Sequence, residues 1–473
     1  MGRGGLGTLM ATGDPLTVGL LLAAGLGVAL LASAFMPLRV GFWIGCATST
    51  FQLYSVPLGS FYPSIAVLGW LSTWPVLLTT HGLWHWRWTQ ALLLLMAVQG
   101  ISLLWSPDPV LGIRDIIYAL PMLFAALGAY RLAREDPGFV FNGLVTLLVG
   151  SLVEAMVVIA FRLLPAVEIG FLHGALARVF ISGNVLDLLF TPGGGNNVLD
   201  PDKAGGFFVN GNIASAFLGV CAVLAWYLAT LRASVLLRVI ACMDWLAVWF
   251  TGSKAGIALA ALVPLGCLVA GMVRERRIRP SLIIGAAALA CVGAVVVTLN
   301  IDALERFLHA SLATLGTRSQ VWHFASLMVR EHPLLGLGFG GWEQRYPLFA
   351  YTYGLSVNLP PHNSLLILWA QSGLLAALAG AWWIASVGLV LLRGLALHQD
   401  GRLFAIAVTG AASWYVLEGF GENMGLDGEV HLAPLLGVLL GYLCALCESG
   451  EAVNERASQA LRSAAAPSAL PAL

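Results

Sequence analysis

Residues 364–391 read SLLILWAQSGLLAALAGAWWIASVGLVL, with no acidic or basic side chain among them. As a helix the run is long enough to cross a hydrocarbon core of about 30 Å, which takes ~20 apolar residues. Pro360-Pro361-His362-Asn363 precede it and Arg393 follows it, so it starts in a turn and ends beside a basic residue. Comparable runs recur near 17–34, 41–58, 61–79, 89–104, 113–130, 141–161, 212–230, 236–251, 254–272, 281–299, 403–418 and 430–447. They predict twelve or thirteen transmembrane helices, with the pairs inside 41–79 and 236–272 open to a different count. Of the 473 residues, 59% are hydrophobic and 10% charged, against roughly 25% charged in soluble domains. Mean hydropathy is +0.86. The fold class expected is an all-α polytopic membrane protein. A large soluble helical protein is excluded on composition.

Orientation follows from the short loops. Arg131 with Arg134, Arg232 with Arg238, the group Arg274, Arg276, Arg277 and Arg279, and Arg393 with Arg402 alternate correctly with the spans. The positive-inside rule puts all four loops in the cytoplasm. Arg87, in the Trp-rich stretch 81–88, fits the same side. Counting backward puts the N-terminus outside. The first run ends in Ala32-Ser33-Ala34, like a cleavage site, but with Arg3 alone as its basic region it is read as a retained helix. Residues 162–211 and 300–363 then face the periplasm, the second as a helical segment. Residues 1–447 form one transmembrane domain, and 448–473, rich in Glu, Ser and Ala, read as a disordered cytoplasmic tail.

The zero net charge implies no nucleic-acid partner. The seven cysteines all fall inside apolar runs, away from any histidine at metal-ligand spacing, and read as packing residues. No cluster of histidines and carboxylates calls for a catalytic metal, and there is no nucleotide-binding motif. The energy of any reaction must therefore arrive with its substrate.

The candidate chemistry lies at the outer ends of the spans. Thr251-Gly252-Ser253-Lys254-Ala255-Gly256 resembles the end of a phosphate loop, but no Gly-rich run precedes it and the side is wrong for ATP. Lys254 reads as a cation for a phosphate or, more plainly, as a snorkelling side chain. The second outer segment carries Arg306, Arg318, Arg330 and Arg345, whose clustering suits an anionic ligand or a solvated helix face. His332, followed by Pro333, is a candidate contact or a helix stop. His362 sits where the long helix begins, and imidazole is the natural proton acceptor near neutral pH. Its plain alternative is a structural hydrogen bond. Asn210 and Asn212 open the helix near 212 and serve equally as caps. Asn363 precedes the span at 364. Arg114 follows Trp105-Ser106-Pro107-Asp108 and could be an interfacial anchor. Glu418 is the deepest of the acidic residues Glu418, Glu422, Asp427 and Glu429.

Taken in order, these motifs resemble the O-antigen ligase and polymerase (Wzy/WaaL-like) superfamily of membrane glycosyltransferases. The resemblance runs from about Trp105 to Gly373. It rests on Leu104-Trp105-Ser106 with Arg114, on Phe208-Val209-Asn210-Gly211-Asn212, and on the Thr251–Gly256 stretch. It continues through Arg318, Trp322, His332-Pro333-Leu334-Leu335-Gly336-Leu337-Gly338 and His362-Asn363-Ser364-Leu365. Lys254 stands where the family commonly has Arg, which keeps the charge and loses the two-pronged donor. Gly211 stands where Pro is frequent.

The resemblance implies a GT-C-like helical fold in the bacterial inner membrane, with no cofactor, no metal and no nucleotide. It implies inverting transfer of a glycan from a polyprenyl diphosphate carrier to an acceptor at the periplasmic face. His362 would be the general base, with Lys254 and Arg318 holding the diphosphate as catalytic cations. Arg114, Asn210, Asn212, His332, Arg345, Asn363 and Glu418 would bind substrate. A ligase uses the lipid A–core of lipopolysaccharide as acceptor, and a polymerase uses a second lipid-linked repeat. The ligase reading is preferred here. Membrane lipids and other polysaccharide assembly proteins are the further partners expected. A lipid-linked glycan transporter is the competing class, but no internal repeat supports it.

Overall fold

The computed structural model describes residues 36–51, 53, 63–80, 82–190, 200, 202–275, 301–356, 359–421 and 430–465, with only the backbone at 184, 188, 270–275, 301–314, 399 and 451–465. Among them there is no sheet. Eleven main helices carry the fold: α1 Arg87–Ser102, α2 Pro109–Glu135, α3 Pro137–Leu163, α4 Gly211–Arg232, α5 Val235–Phe250, α6 Lys254–Glu275, α7 Ile301–Glu331, α8 Trp342–Tyr353, α9 Ser364–Leu395, α10 Gln399–Gly421 and α11 Leu432–Ala465. Short helices at Leu38–Thr48, Ile65–Leu71 and Val76–Thr79 precede them, and Pro165–His173, Ala177–Phe180 and Gly183–Leu189 connect α3 to α4.

Among the described residues seven helices are long and apolar enough to span a membrane: Arg87–Trp105, Pro109–Glu135, Pro137–Leu163, Gly211–Arg232, Ser364–Leu395, Asp400–Gly421 and Leu432–Gly450. Each coincides with an expected span. Ile65–Thr79 and Lys254–Val269 are apolar but shorter, and α5 covers the run expected at 236–251. The runs expected at 17–34 and 281–299 lie outside the described residues. So does the loop expected to carry Arg276, Arg277 and Arg279. The count is therefore seven described spans against twelve or thirteen expected.

Small residues bring the helices together. Gly437 and Gly441 lie one turn apart on α11, and a Cβ on either would overlap the carbonyl of Met122 or Ala126 on α2. Such small-xxx-small spacing lets membrane helices approach to backbone contact. Gly219 on α4 receives the indole of Trp414 on α10 in the same way. Helix α9 packs along α1 and α10, and α3 along α5.

The basic turns gather at one end of this bundle. Arg232 lies over Phe141, its Cζ 4.5 Å from the ring centre. Arg393 lies 5.2 Å over Trp86. Glu448 accepts from Tyr130 Oη at 2.5 Å and Trp86 Nε1 at 3.1 Å. Since α4 runs from Gly211 to Arg232 and α9 from Ser364 to Arg393, their other ends carry Asn210 and His362.

Helix α9 is broken. Gly373 has φ 81° and ψ −178°, inside the run the sequence reads as one continuous helix. The segment 332–341 explains the break by wedging against it. Leu374 N–H donates to Pro333 O at 3.2 Å, and the carbonyls of Ala370 and Gln371 accept from Leu337 N–H (2.9 Å) and Gly338 N–H (2.8 Å). Gln371 Oε1 also accepts from Gly340 N–H at 2.6 Å. Backbone groups freed at the kink are thus satisfied by a second chain segment, as membrane depth requires.

Candidate active site

The Thr251–Lys254 turn is a rigid platform. Thr251 and Ser253 are fully buried. Thr251 Oγ1 donates to Val248 O at 2.7 Å and accepts from Ser253 N–H at 3.2 Å. Ser253 Oγ caps α6 by accepting from Gly256 N–H at 3.1 Å. Gly252 has φ 68°, and a Cβ there would overlap Asp202 O. Ala204 N–H donates to Thr251 O at 3.2 Å. These contacts fasten the 202–211 segment onto the turn. Asn210 Oδ1 accepts from Asn212 N–H at 2.9 Å and caps α4.

Lys254, at the first position of α6, lies within electrostatic range of Lys203, Arg318 and Asp200. Two cations and one carboxylate therefore act on it. Lys203 was not singled out from sequence, because a lone lysine in a polar loop carries no pattern. What brings it in is the close approach of its segment to the platform turn, where a Cβ on Gly211 would overlap Thr251 O.

Arg318 projects from α7 toward the end of α10, where its Nη1 is 3.8 Å from the position a Cβ would take on Gly421. Ser364 Oγ donates to Gly419 O at 2.9 Å and ties the start of α9 to the same end. Glu418, fully buried, lies one turn before Gly421. His362 is half-buried and has φ 49°. An L-residue in the left-handed region costs roughly 1–2 kcal/mol, so the surroundings must hold it. Trp322 Nε1 donates to Pro361 O at 2.7 Å on one side. On the other, Asn363 Oδ1 caps α9 by accepting from Leu366 N–H at 3.0 Å. Trp322 and Arg318 are one turn apart on α7, so this single helix orders both the cation and the His362 turn.

The remaining expected residues lie elsewhere. Arg114 is paired with Asp115, through Nη2 at 2.8 Å and Nε at 2.9 Å. It belongs to a second charged group with Asp108 and Glu343. Water reaches Glu343, yet burial by the surrounding protein, with the charges of Asp115 and Asp108 and against the pull of Arg114, pushes it up to about 7. His332 and Arg345 are exposed. The His332–Gly341 segment acts as a wedge: Ser106 Oγ donates to Phe339 O at 2.6 Å, and Trp105 Nε1 to Leu335 O at 3.2 Å. Thus the Leu104-Trp105-Ser106 and His332–Gly338 motifs meet each other and Gly373 in one scaffold. Among the described residues no group of three or more His, Cys, Asp and Glu could hold a metal ion.

Residues 239–381 match the O-Antigen ligase family model, Wzy_C. That is the family the motifs resemble. The matched stretch holds Lys254, Arg318, His332, Arg345, His362 and Asn363, and both the platform turn and the wedge. Lys203, Asn210, Asn212 and Arg114 precede it and Glu418 follows it. No curated protein matches the chain. The match to that family model over residues 239–381 and the helical membrane architecture together support a glycan-transfer role at a membrane.

Proposed function

We propose that this chain transfers a glycan from a polyprenyl diphosphate to an acceptor hydroxyl at the periplasmic face of the inner membrane, with lipid A–core as acceptor. The observation that carries the reading is the gathering of Lys254, Arg318 and Lys203 beside the start of the His362 helix. Helices α4, α6 and α9 also begin at this end of the bundle, and helix N-termini favour negative charge. A group of cations beside helix N-termini suits an anionic ligand, and the carrier's diphosphate is such an anion.

In this reading His362 accepts the proton of the acceptor hydroxyl. The acceptor oxygen attacks the anomeric carbon as the carbon–oxygen bond to the diphosphate breaks, with inversion. Lys254, Arg318 and Lys203 neutralise the departing diphosphate, Asn210, Asn212 and Asn363 line the approach, and Glu418 lies buried near the end of α10. A diphosphate is a good leaving group, so positioning and charge neutralisation supply most of the rate. The orientation rests on the positive-inside rule: the basic turns sit at the opposite end from the cations. The test is transfer by the purified chain in nanodiscs, offered lipid-linked glycan with either lipid A–core or a second lipid-linked repeat. Product with lipid A–core supports ligation, product only with the second repeat makes the chain a polymerase, and product with neither refutes transfer.

A further inference from the structure

Glu154 lies within the Pro137–Leu163 span and is fully buried. A carboxylate at such a place is expensive and persists where it has a task. The transfer chemistry does not use it. Both of its oxygens face the backbone N–H of Phe207, at 3.1 Å and 3.2 Å, and the N–H of Phe208 also reaches it. These amides belong to a strained turn. Gly206 has φ 55° and Val209 has φ 64°, the latter an L-residue in the left-handed region. A Cβ on Gly206 would overlap Glu154 Oε1, so the glycine is what lets the turn close on the carboxylate. The same short segment carries Lys203 on one side and Asn210 on the other, and Ala204 fastens it to Thr251.

We propose that Glu154 is a positioning residue, an intramembrane brace that holds the 203–210 segment so that Lys203 and Asn210 meet the Thr251–Lys254 platform. The proposal deepens the transferase reading by adding a residue that acts on the diphosphate site without touching it. Ser151, one turn earlier on α3, donates to Asp244 Oδ2 at 2.7 Å and fixes the face that α3 presents to α5. Glu154 is left to serve the turn. Without it two buried amides lose their acceptor, and such groups are costly to leave unmet. The turn then relaxes and Lys203 moves away from Lys254.

A competing hold on the turn is aromatic. Phe207 stacks on Phe180 with ring centres 4.6 Å apart, and Phe208 meets His431 at 4.6 Å. If these contacts alone fix the turn, Glu154 is only a satisfied buried group. The experiment uses the full chain in nanodiscs, with E154A, E154Q, K203A and the double variant E154A/K203A. Amide hydrogen exchange is read over the peptide holding Phe207 and Phe208, and transfer is read against donor concentration. E154A is expected to speed exchange at those amides and raise the apparent donor KM roughly tenfold, about the cost of leaving one buried amide unmet. E154Q, which keeps one acceptor oxygen, falls between E154A and the parent. In the K203A background E154A adds little, because both changes act through one segment. Unchanged exchange in E154A overturns the brace, and so does a full tenfold effect on top of K203A. The exchange measurement stands apart from transfer, so failure of the parent chain to transfer glycan would count against the transferase reading and leave the brace decided by its own data. Should E154A not fold, the comparison of E154Q with the parent carries the same two outcomes.

Discussion

Gly373→Ala is the sharpest perturbation of the scaffold. At φ 81° and ψ −178° the backbone occupies a region that essentially only glycine visits, and holding another residue there costs about 1–3 kcal/mol. The added Cβ would also overlap Leu334 O, with Leu335 C 2.8 Å away. Those are backbone atoms and cannot swing aside, so overpacking adds about 1–3 kcal/mol more. The sum, about 2–6 kcal/mol, is a large share of a typical total stability of ~5–15 kcal/mol. Relief requires the wedge to lift, which breaks the bonds from Leu337 and Gly338 to α9. The wedge is continuous with α7, which carries Arg318 and Trp322, so transfer should fall with stability. The assay is thermal unfolding in detergent beside transfer in nanodiscs. A variant with the parent's melting temperature and full turnover would refute the claim that the kink is a fixed, packed element.

Lys254→Ala should lose about ten- to a hundredfold in rate, the worth of roughly 1.5–3 kcal/mol in a charge-assisted contact. Lys254→Arg should stay active and Lys254→Glu should be worse than Ala; donor titration in nanodiscs checks the order. His362→Ala should cut kcat by roughly 10²–10⁴ while donor binding persists, as removal of a general base does, measured by single-turnover transfer beside a donor-binding assay. Glu343, pushed up to about 7 in the fold from an ordinary value near 4.3, binds its proton more tightly when folded. Its contribution is therefore present at low pH and lost as pH rises from about 4.3 to about 7. Because the side chain is exposed, solvent screens that contribution, so the check is the midpoint itself, read as the infrared carboxyl signal that Glu343→Gln removes; a midpoint at the ordinary value would refute the shift.

The spans were legible because burial among helices and burial in lipid select the same side chains, so apolar length alone marks them. Seven of the expected runs recur as spanning helices among the described residues. The break at Gly373 was not legible. A glycine in an apolar run reads as tolerated helix, and what forces it out of helical geometry is a segment about forty residues earlier in the chain (Pro333 against Leu374). The sequence offers His332 as a candidate contact or a helix stop; in the fold its side chain is exposed, and the packing against α9 is made by the backbone of Leu337, Gly338 and Gly340. Lys203 and Glu154 escaped for related reasons. One is a single charge in a loop, the other a single charge in an apolar window, and only a tertiary contact gives either a meaning.

Lys254, by contrast, stands out in the sequence, because a cation at the mouth of an apolar span is usually functional or snorkelling. Lysine at the first position of a helix opposes the helix dipole, and Lys254 additionally has Lys203, Arg318 and Asp200 in electrostatic range. Side chains chosen for stability alone would place acids at the starts of α4, α6 and α9. Instead those starts are capped by neutral groups, Asn210, Ser253 and Asn363. Neutral caps satisfy the orphan amides without cancelling the positive potential. The arrangement leaves the positive ends of three helices, with Lys254, Lys203 and Arg318 and the carboxylate of Asp200, at the end of the bundle where His362 is held in a left-handed turn. A diphosphate bound there would meet helix ends and side-chain cations whose pull becomes most useful as negative charge grows on the leaving oxygen, which is how a fixed electrostatic environment lowers a barrier without reorganising.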